Sequence, residues 1–360
     1  MIDFWVLGND IAERMGLIGE ANAIGYHVRQ MRIVDDRGRL EARFGTRIFD
    51  ELTGGRFVTL PRGELSRLLF QEIERQVETI FDDEIIAIDQ DADNARVQFR
   101  RAGRRRFDLV IGADGLHSAV RKLVFGHKAQ FETDLGYRVA AFETSGYRPR
   151  DPDVYLVYSQ PGRMVGRFAL SGERTLFLMV FASDAPIPPT LGAQKSMLRE
   201  VYAAGRWECP QILDELDRAS ELYIDRVSQI RMPAWWNGRV ALVGDAAFCV
   251  SLLAGQGSAL AMTAAYVLAG ELGLAQGDYV SAFANYESML RSHIASRQRS
   301  AVGFAAALAP KTQIGLQFRN LVVKAFAVPG LARLAIGRDI ADTLELPAYP
   351  WRALDQLAAS

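Results

Sequence analysis

The sequence has 360 residues, 49% hydrophobic and 24% charged, the composition of a folded chain with a sizeable core. Its 42 basic and 43 acidic residues leave a formal net charge of -1, which argues against nucleic acid or an anionic membrane surface as a partner. Two cysteines and four scattered histidines offer no metal-ligand spacing and suit a reducing, cytoplasmic compartment.

The start, MIDFWVLGNDIAERMG, carries an acid at position 3 and lacks the basic-then-apolar order of a signal peptide. The spacing of Ile11, Met15 and Ile18 predicts a helix over residues 9–20 with Asn9 as its N-cap. Residues 26–35 alternate polar and apolar, Asp36-Arg37-Gly38 marks a turn, and LEARF resumes the strand as a hairpin. After Pro61, Leu65, Leu68, Leu69 and Ile73 fall on one helical face. From Glu84 to Gly115 the alternation predicts three short strands joined by polar turns, and the run Arg104-Arg105-Arg106 reads as solvated turn residues. Four strands punctuated by Pro, Gly and charged turns predict a separate antiparallel sheet over roughly residues 130–185. A helical stretch near 194–218 and a return strand in RVALVGD follow. The apolar stretch Ser258–Gly270 is short for a membrane span and reads as a buried core helix. Residues 278–342 read as mostly helical, broken at Pro310 and at Pro329-Gly330.

Two segments carry chemistry. In Phe107–Arg121, FDLVIGADGLHSAVR, a buried strand runs into a turn where Gly112 and Gly115 let the backbone come close to something, and Ser118 is placed to cap the next helix. By itself this segment fits a generic strand–turn–helix join equally well. In Arg239–Leu272, a strand ends at Gly244-Asp245, and Gly255-Gln256-Gly257 opens an Ala-rich helix. Asp245 stands at the carboxyl end of the strand, where open α/β sheets place ligands. The helix N-terminus suits an electron-rich or anionic group, and a carboxylate beside it accepts hydrogen bonds from sugar or ribityl hydroxyls. This pairing points to a dinucleotide, FAD first.

The sequence resembles the FAD-dependent monooxygenases of the aromatic-hydroxylase type, with the para-hydroxybenzoate hydroxylase fold. Asp108, Ile111, Gly112, Ala113, Asp114, Gly115, Ser118, Val120 and Arg121 match one family motif; Gly244, Asp245, Ala246, Ala247, Gly255, Gln256 and Gly257 match the other. The resemblance implies an α/β protein. A Rossmann-like FAD-binding layer, N-terminally incomplete, would be interleaved with an antiparallel-sheet substrate domain and followed by C-terminal helices. The implied division is 1–128 and 233–277 for the FAD layer, 129–232 for the substrate domain and 278–360 for the helices. Asp245 is then expected to hold the ribityl chain, and the helix from Gly255 to face the flavin. Arg62, Asp114 and Asp3 are further cofactor-binding candidates. The implied reaction uses NAD(P)H and O2 to hydroxylate an aromatic or polycyclic small molecule through a flavin C4a-hydroperoxide. The cofactor carries this chemistry, so no catalytic side chain is assigned. Trp5, Tyr155, Tyr158, Phe168, Phe177 and Phe181 are candidates either for a pocket lining or for core.

Departures from the motifs are Phe248 for a histidine, Ser251 and Leu252 where proline is usual, which predicts a less rigid loop, and Ala259 for an asparagine. The family's opening G-x-G-x-x-G unit is not seen near Met1. A start upstream of Met1 is the expectation that best fits the retained motifs. The alternatives are a shortened, FAD-deficient remnant or partner-dependent subunit, and a flavin reductase of the same fold. A flavin halogenase is disfavoured, since its tryptophan-x-tryptophan-x-isoleucine-proline motif is missing.

Overall fold

The computed structural model describes residues 2–26, 28–45, 56–325 and 344–351. Its largest unit is a seven-stranded sheet in the order Tyr223–Ile230, Glu132–Ser145, Arg174–Ala182, Arg163–Ala169, Val154–Gln160, Gln30–Val34, Leu40–Gly45. The hairpin of residues 30–45, grouped by position in the chain with the first segment, is built into this sheet, and Gln30–Val34 pairs parallel to Val154–Gln160. An isolated hairpin cannot bury its apolar side chains, and the open edge of the larger sheet supplies both pairing and cover for Ile33 and Ala42. The sheet is therefore mixed and wider than the predicted antiparallel unit.

The alternation of side chains gives this sheet two different faces. On one, Phe142, Tyr158, Phe177, Met179 and Phe181 pack against helices Leu191–Tyr202 and Cys209–Arg218. Three of the candidate pocket aromatics, Tyr158, Phe177 and Phe181, are thus core, each contributing about 2 kcal/mol by burial. The opposite face carries Val139, Val157, Met164 and Val180, which meet Leu252, Leu253, Ala305, Ala309 and Val323.

The second unit surrounds two short parallel strands, Val110–Gly112 and Val240–Leu242. The chain leaves after the first, builds most of the large sheet, and returns to lay the second beside it. All three residues of Val240–Leu242 are fully buried, consistent with a strand covered on both faces. Ahead of this pair lies an antiparallel meander of Ile85–Gln90, Ala95–Phe99 and Arg104–Phe107. Arg104–Arg106 are strand residues rather than turn residues, and Arg105 pairs with Glu78 at 2.6 Å.

Helix Tyr279–Leu308, about 45 Å long by its 30 residues, fastens the two units together. Near its start the Tyr286 hydroxyl donates to the Leu242 carbonyl at 3.0 Å. Further along, Gln298 Nε2 donates to the Ile230 carbonyl at 2.8 Å, and Gln229 Nε2 donates at 2.7 Å to both Gln298 and Val250 carbonyls. Helix Gly257–Ala275 is long and apolar enough by composition to cross a membrane. It is nevertheless a packed helix here: Leu260, Ala264, Val267 and Leu268 are buried in the core, and Glu271 accepts from Tyr349 Oη at 2.8 Å and Asn285 Nδ2 at 3.0 Å.

Near the N-terminus the predicted helix over 9–20 is two helices, Val6–Arg14 and Ile18–Ile24, separated at Gly16, whose φ of 78° is left-handed. Asn9 is inside the first helix, not its cap; its Nδ2 donates to the Arg56 carbonyl at 3.0 Å. Helix Arg62–Ile73 buries Leu65 and Leu68, but Ile73 is exposed, because the amphipathic pattern outruns the surface it packs on. The predicted break at Pro310 separates Tyr279–Leu308 from helix Gln313–Ala325; the one at Pro329-Gly330 lies outside the described residues.

Candidate cofactor site

The two motif turns lie side by side because their strands pair in parallel, Val110 opposite Val240 and Ala241 opposite Ile111. In the first turn Ser118 is the N-cap of helix Ala119–Phe125, and its Oγ accepts from Arg121 N at 2.9 Å. Asp114 is drawn into the same cap: Oδ1 accepts from Ser118 Oγ at 2.5 Å and Oδ2 from Val120 N at 3.0 Å. Arg121 is 1% exposed. Its guanidinium crosses to the second motif, donating to the Ala246 carbonyl at 2.8 Å and to the Leu116 carbonyl at 2.7 Å. Burial pulls its pKa below the usual arginine value, against the opposing pull of Asp114, Glu132, Cys249 and Asp245. This arginine therefore locks one turn to the other.

In the second turn Gly244 has φ 59°, and a side chain there would place Cβ 2.9 Å from Ala261 Cβ, so the turn needs glycine both for its conformation and to reach helix Gly257–Ala275. Asp245 opens a single helical turn, Asp245–Phe248, that the motif reading leaves as loop. Phe248, at the histidine position, is buried against the Trp235 ring with centroids 4.6 Å apart. The proline-less stretch is not a loose loop: Ser251 Oγ accepts from Leu253 N at 3.3 Å, closing a turn over Leu252–Ala254, and Leu253 is buried against the large sheet. Gly255 then takes a left-handed φ of 69° and leads into Gln256 and Gly257.

The Asp245 carboxylate stands over the start of that helix: a Cβ on Gly257 would lie 3.7 Å from its Oδ1. Burial raises its pKa above the ordinary carboxylate value, opposed by the Cys249 thiol that hydrogen-bonds it and by the positive charges of Arg62 and Arg121. The Cys249 thiol is itself pushed well up by burial and by Asp245, so it stays protonated as a donor, and it also lies 3.6 Å from the Ser228 carbonyl. Gln256 supplies no side-chain cap, leaving the first-turn N–H groups of the helix for another acceptor. Among the described residues, a half-buried carboxylate that accepts from no N–H thus sits beside helix N–H groups that no side chain caps. That donor set fits FAD, whose ribityl hydroxyls donate and whose flavin carbonyls accept.

The remaining candidates are placed as follows. Arg62 is exposed at the first position of helix Arg62–Ile73, and its charge acts on both Asp245 and Tyr223. Asp3 lies in strand Ile2–Trp5 with its backbone opposite Thr59; its side chain is outside the described set. Tyr223, which no sequence signal marks, feels the charges of Arg62 and Asp245. Burial and the neighbouring Asp225 push its hydroxyl up to about 12, with Arg62 opposing and Asp245 adding. Asp225 in turn meets His117 Nε2 at 2.7 Å, and His117 Nδ1 meets Lys128 Nζ at 3.1 Å. Among the described residues no cluster of His, Cys, Asp and Glu suits a metal ion.

The FAD binding domain family matches residues 10–282. An uncharacterized protein of Mycobacterium tuberculosis is 37% identical over 306 residues, spanning 80% of this chain and 78% of that one. A flavin-dependent monooxygenase from an unknown prokaryotic organism is 30% identical over 360 residues, spanning 97% of this chain and 88% of that one. The crystal structure of tetracycline destructase Tet(55) superposes with a TM-score of 0.81 at 29% identity, over 97% of this chain and 88% of that one. The family match and the shared fold agree with the donor set around Asp245, and the chain belongs to the FAD-binding flavoprotein monooxygenases of the para-hydroxybenzoate hydroxylase type, an FAD-dependent oxidoreductase.

Proposed function

We propose that this enzyme hydroxylates an aromatic or polycyclic small molecule, with NAD(P)H as the electron donor and O2 as the oxygen source. The observation that supports the reading is the packing of Leu252 and Leu253, beside the second motif turn, against Val139, Met164 and Val180 of the large sheet, with the charges of Arg62 and Asp245 acting on Tyr223 at the sheet's edge. When bound, FAD would supply the redox chemistry that couples NAD(P)H and a proton to O2, one oxygen atom entering the substrate and the other leaving as water. The chain's own residues do the holding. Asp245 would accept from the ribityl hydroxyls, and the N-terminus of helix Gly257–Ala275 would set positive partial charge beside the flavin ring. Arg121 keeps the two turns in register.

The test starts from purified protein titrated with FAD and followed by its visible spectrum. NADH and NADPH oxidation is then measured with and without a panel of phenols and fused-ring aromatics, and products are weighed by mass spectrometry. The expected result is bound flavin, nucleotide oxidation stimulated by at least one aromatic, and a product one oxygen atom heavier. No flavin bound after addition of FAD, or oxidation indifferent to every aromatic, overturns the proposal.

A further inference from the structure

The pairing of the large sheet puts Gly166 opposite Leu178, Leu178 opposite Ala141, and Ala141 opposite Tyr223. Residues paired in this way share a face. Two positions along in one direction, the same face carries Met164, Val180 and Val139, all buried in the cluster that includes Leu252 and Leu253. Two positions along in the other direction it carries Phe168 and Leu176, with Tyr155 stacked on Phe168 at 4.5 Å and Tyr26 edge-on to it at 5.6 Å. Between these walls Gly166, Leu178 and Ala141 are half-buried, and Tyr223, on which the charges of Arg62 and Asp245 act, is 44% exposed. The result is a flat apolar strip running across four strands away from the cofactor site.

Gly166 is the odd residue of this strip. Glycine weakens a strand interior, so it persists where the backbone needs it, where neighbours crowd it, or where a ligand approaches the main chain. Its φ is not left-handed. Nor is it crowded: an added Cβ would lie 3.5 Å from Met164 Cε and 3.7 Å from Leu178 Cβ, ordinary contact distances. Close approach of a ligand is the reason that remains. With strands about 4.8 Å apart, the strip from Gly166 to Tyr223 is about 14 Å long, the reach of several fused rings and well beyond a single one.

Resting on the hydroxylase reading above, we propose that Gly166 is a specificity-determining residue: it sets the depth of the cleft floor, so that a flat fused-ring substrate lies face-down on the sheet with one end toward Tyr223. The test is equilibrium dialysis of the FAD-loaded full chain against alizarin, a three-ring hydroxyanthraquinone, and against phenol. Wild type is compared with Gly166→Ala and Gly166→Leu. Gly166→Leu should weaken alizarin binding by at least about tenfold and Gly166→Ala by a smaller factor, while phenol changes by no more than about twofold. Both variants should melt no lower than wild type, because each adds β-propensity. Alizarin bound equally by all three proteins, or alizarin and phenol weakened alike, overturns the role of Gly166 and leaves the hydroxylase reading standing. A wild-type chain that binds neither compound overturns both. Should Gly166→Leu fail to fold, Gly166→Ala decides, since its methyl group fits the space present.

Discussion

The turn after Val110–Gly112 and the turn after Val240–Leu242 are neighbours with the same plan: a short strand, glycine, an acid, and a helix beyond, though Ile111, expected to be buried, is 40% exposed. Their acids have opposite surroundings. Asp114 is occupied on both oxygens, by the Ser118 hydroxyl and the Val120 N–H, and serves the helix that follows it. Asp245 is half-buried, and the desolvation that raises its pKa is offset only by the Cys249 thiol and the charges of Arg62 and Arg121. An acid whose acceptor sites are filled locally builds the loop; an acid to which no N–H donates among the described residues keeps acceptor sites open, which is why Asp245 is proposed to meet a ligand that brings its own donors. Arg121 links the two, holding the Leu116 carbonyl of its own turn and the Ala246 carbonyl of the other.

The comparison can be tested at its joints. Arg121→Met has the largest expected effect: it strips donors from two carbonyls in a buried setting, and urea unfolding should show a loss of about 3 kcal/mol. A loss below about 1 kcal/mol would mean the turns hold their register without it.

Next is Asp245→Asn. FAD affinity, from flavin fluorescence quenching, should fall by about 30-fold, as expected for a charged hydrogen-bond acceptor worth about 2 kcal/mol. Stability without FAD should move the other way. The folded carboxyl has its pKa raised above the unfolded value of 3.8, so in the window above that value the folded chain holds more protons than the unfolded one. Wild-type stability therefore falls as pH rises through the window, and the variant lacks this fall. The gain of Asp245→Asn over wild type should grow from about pH 4 toward neutrality, read by urea unfolding of the FAD-free protein. A gain that shrinks over the same range would show that the carboxylate is stabilised in the fold.

Asp114→Ala should do the reverse of Asp245→Asn at smaller scale: a stability loss of about 1 kcal/mol from the broken cap, with FAD affinity within about threefold of wild type. If FAD binding collapses while stability holds, the contrast between the two acids is wrong. Arg62→Ala is the mildest. Exposed at a helix start, it should change stability by less than about 0.5 kcal/mol and weaken FAD binding only a few-fold, more at low salt than at high.

Much of this site was legible before the fold was known, and the parts that were not share a cause. The strand, the glycine turn and the helix start in Arg239–Leu272 follow from local rules, and so does Ser118 as a cap, because strand run, left-handed glycine and cap act within a few residues of chain. Asn9 failed as a cap because helix Val6–Arg14 begins before it, and its side chain answers to Arg56 far along the chain. Tyr158, Phe177 and Phe181 sit at inward positions, as strand alternation implies, but alternation does not say which of two covered faces a residue joins.

The sequence by itself determined the family, the paired motif turns, and Asp245 at the mouth of a strand beside a free helix N-terminus, all set by local conformation and residue chemistry. Only the tertiary structure decided that Asp114 is used up by its own turn and that Arg121 spans to Ala246. It also decided that the hairpin of residues 30–45 completes the large sheet, and that Gly166, Leu178, Ala141 and Tyr223 line up across four strands. Those outcomes depend on contacts between residues remote in the chain. Burial and pairing across such distances set which acceptors stay free, and periodicity carries no record of them.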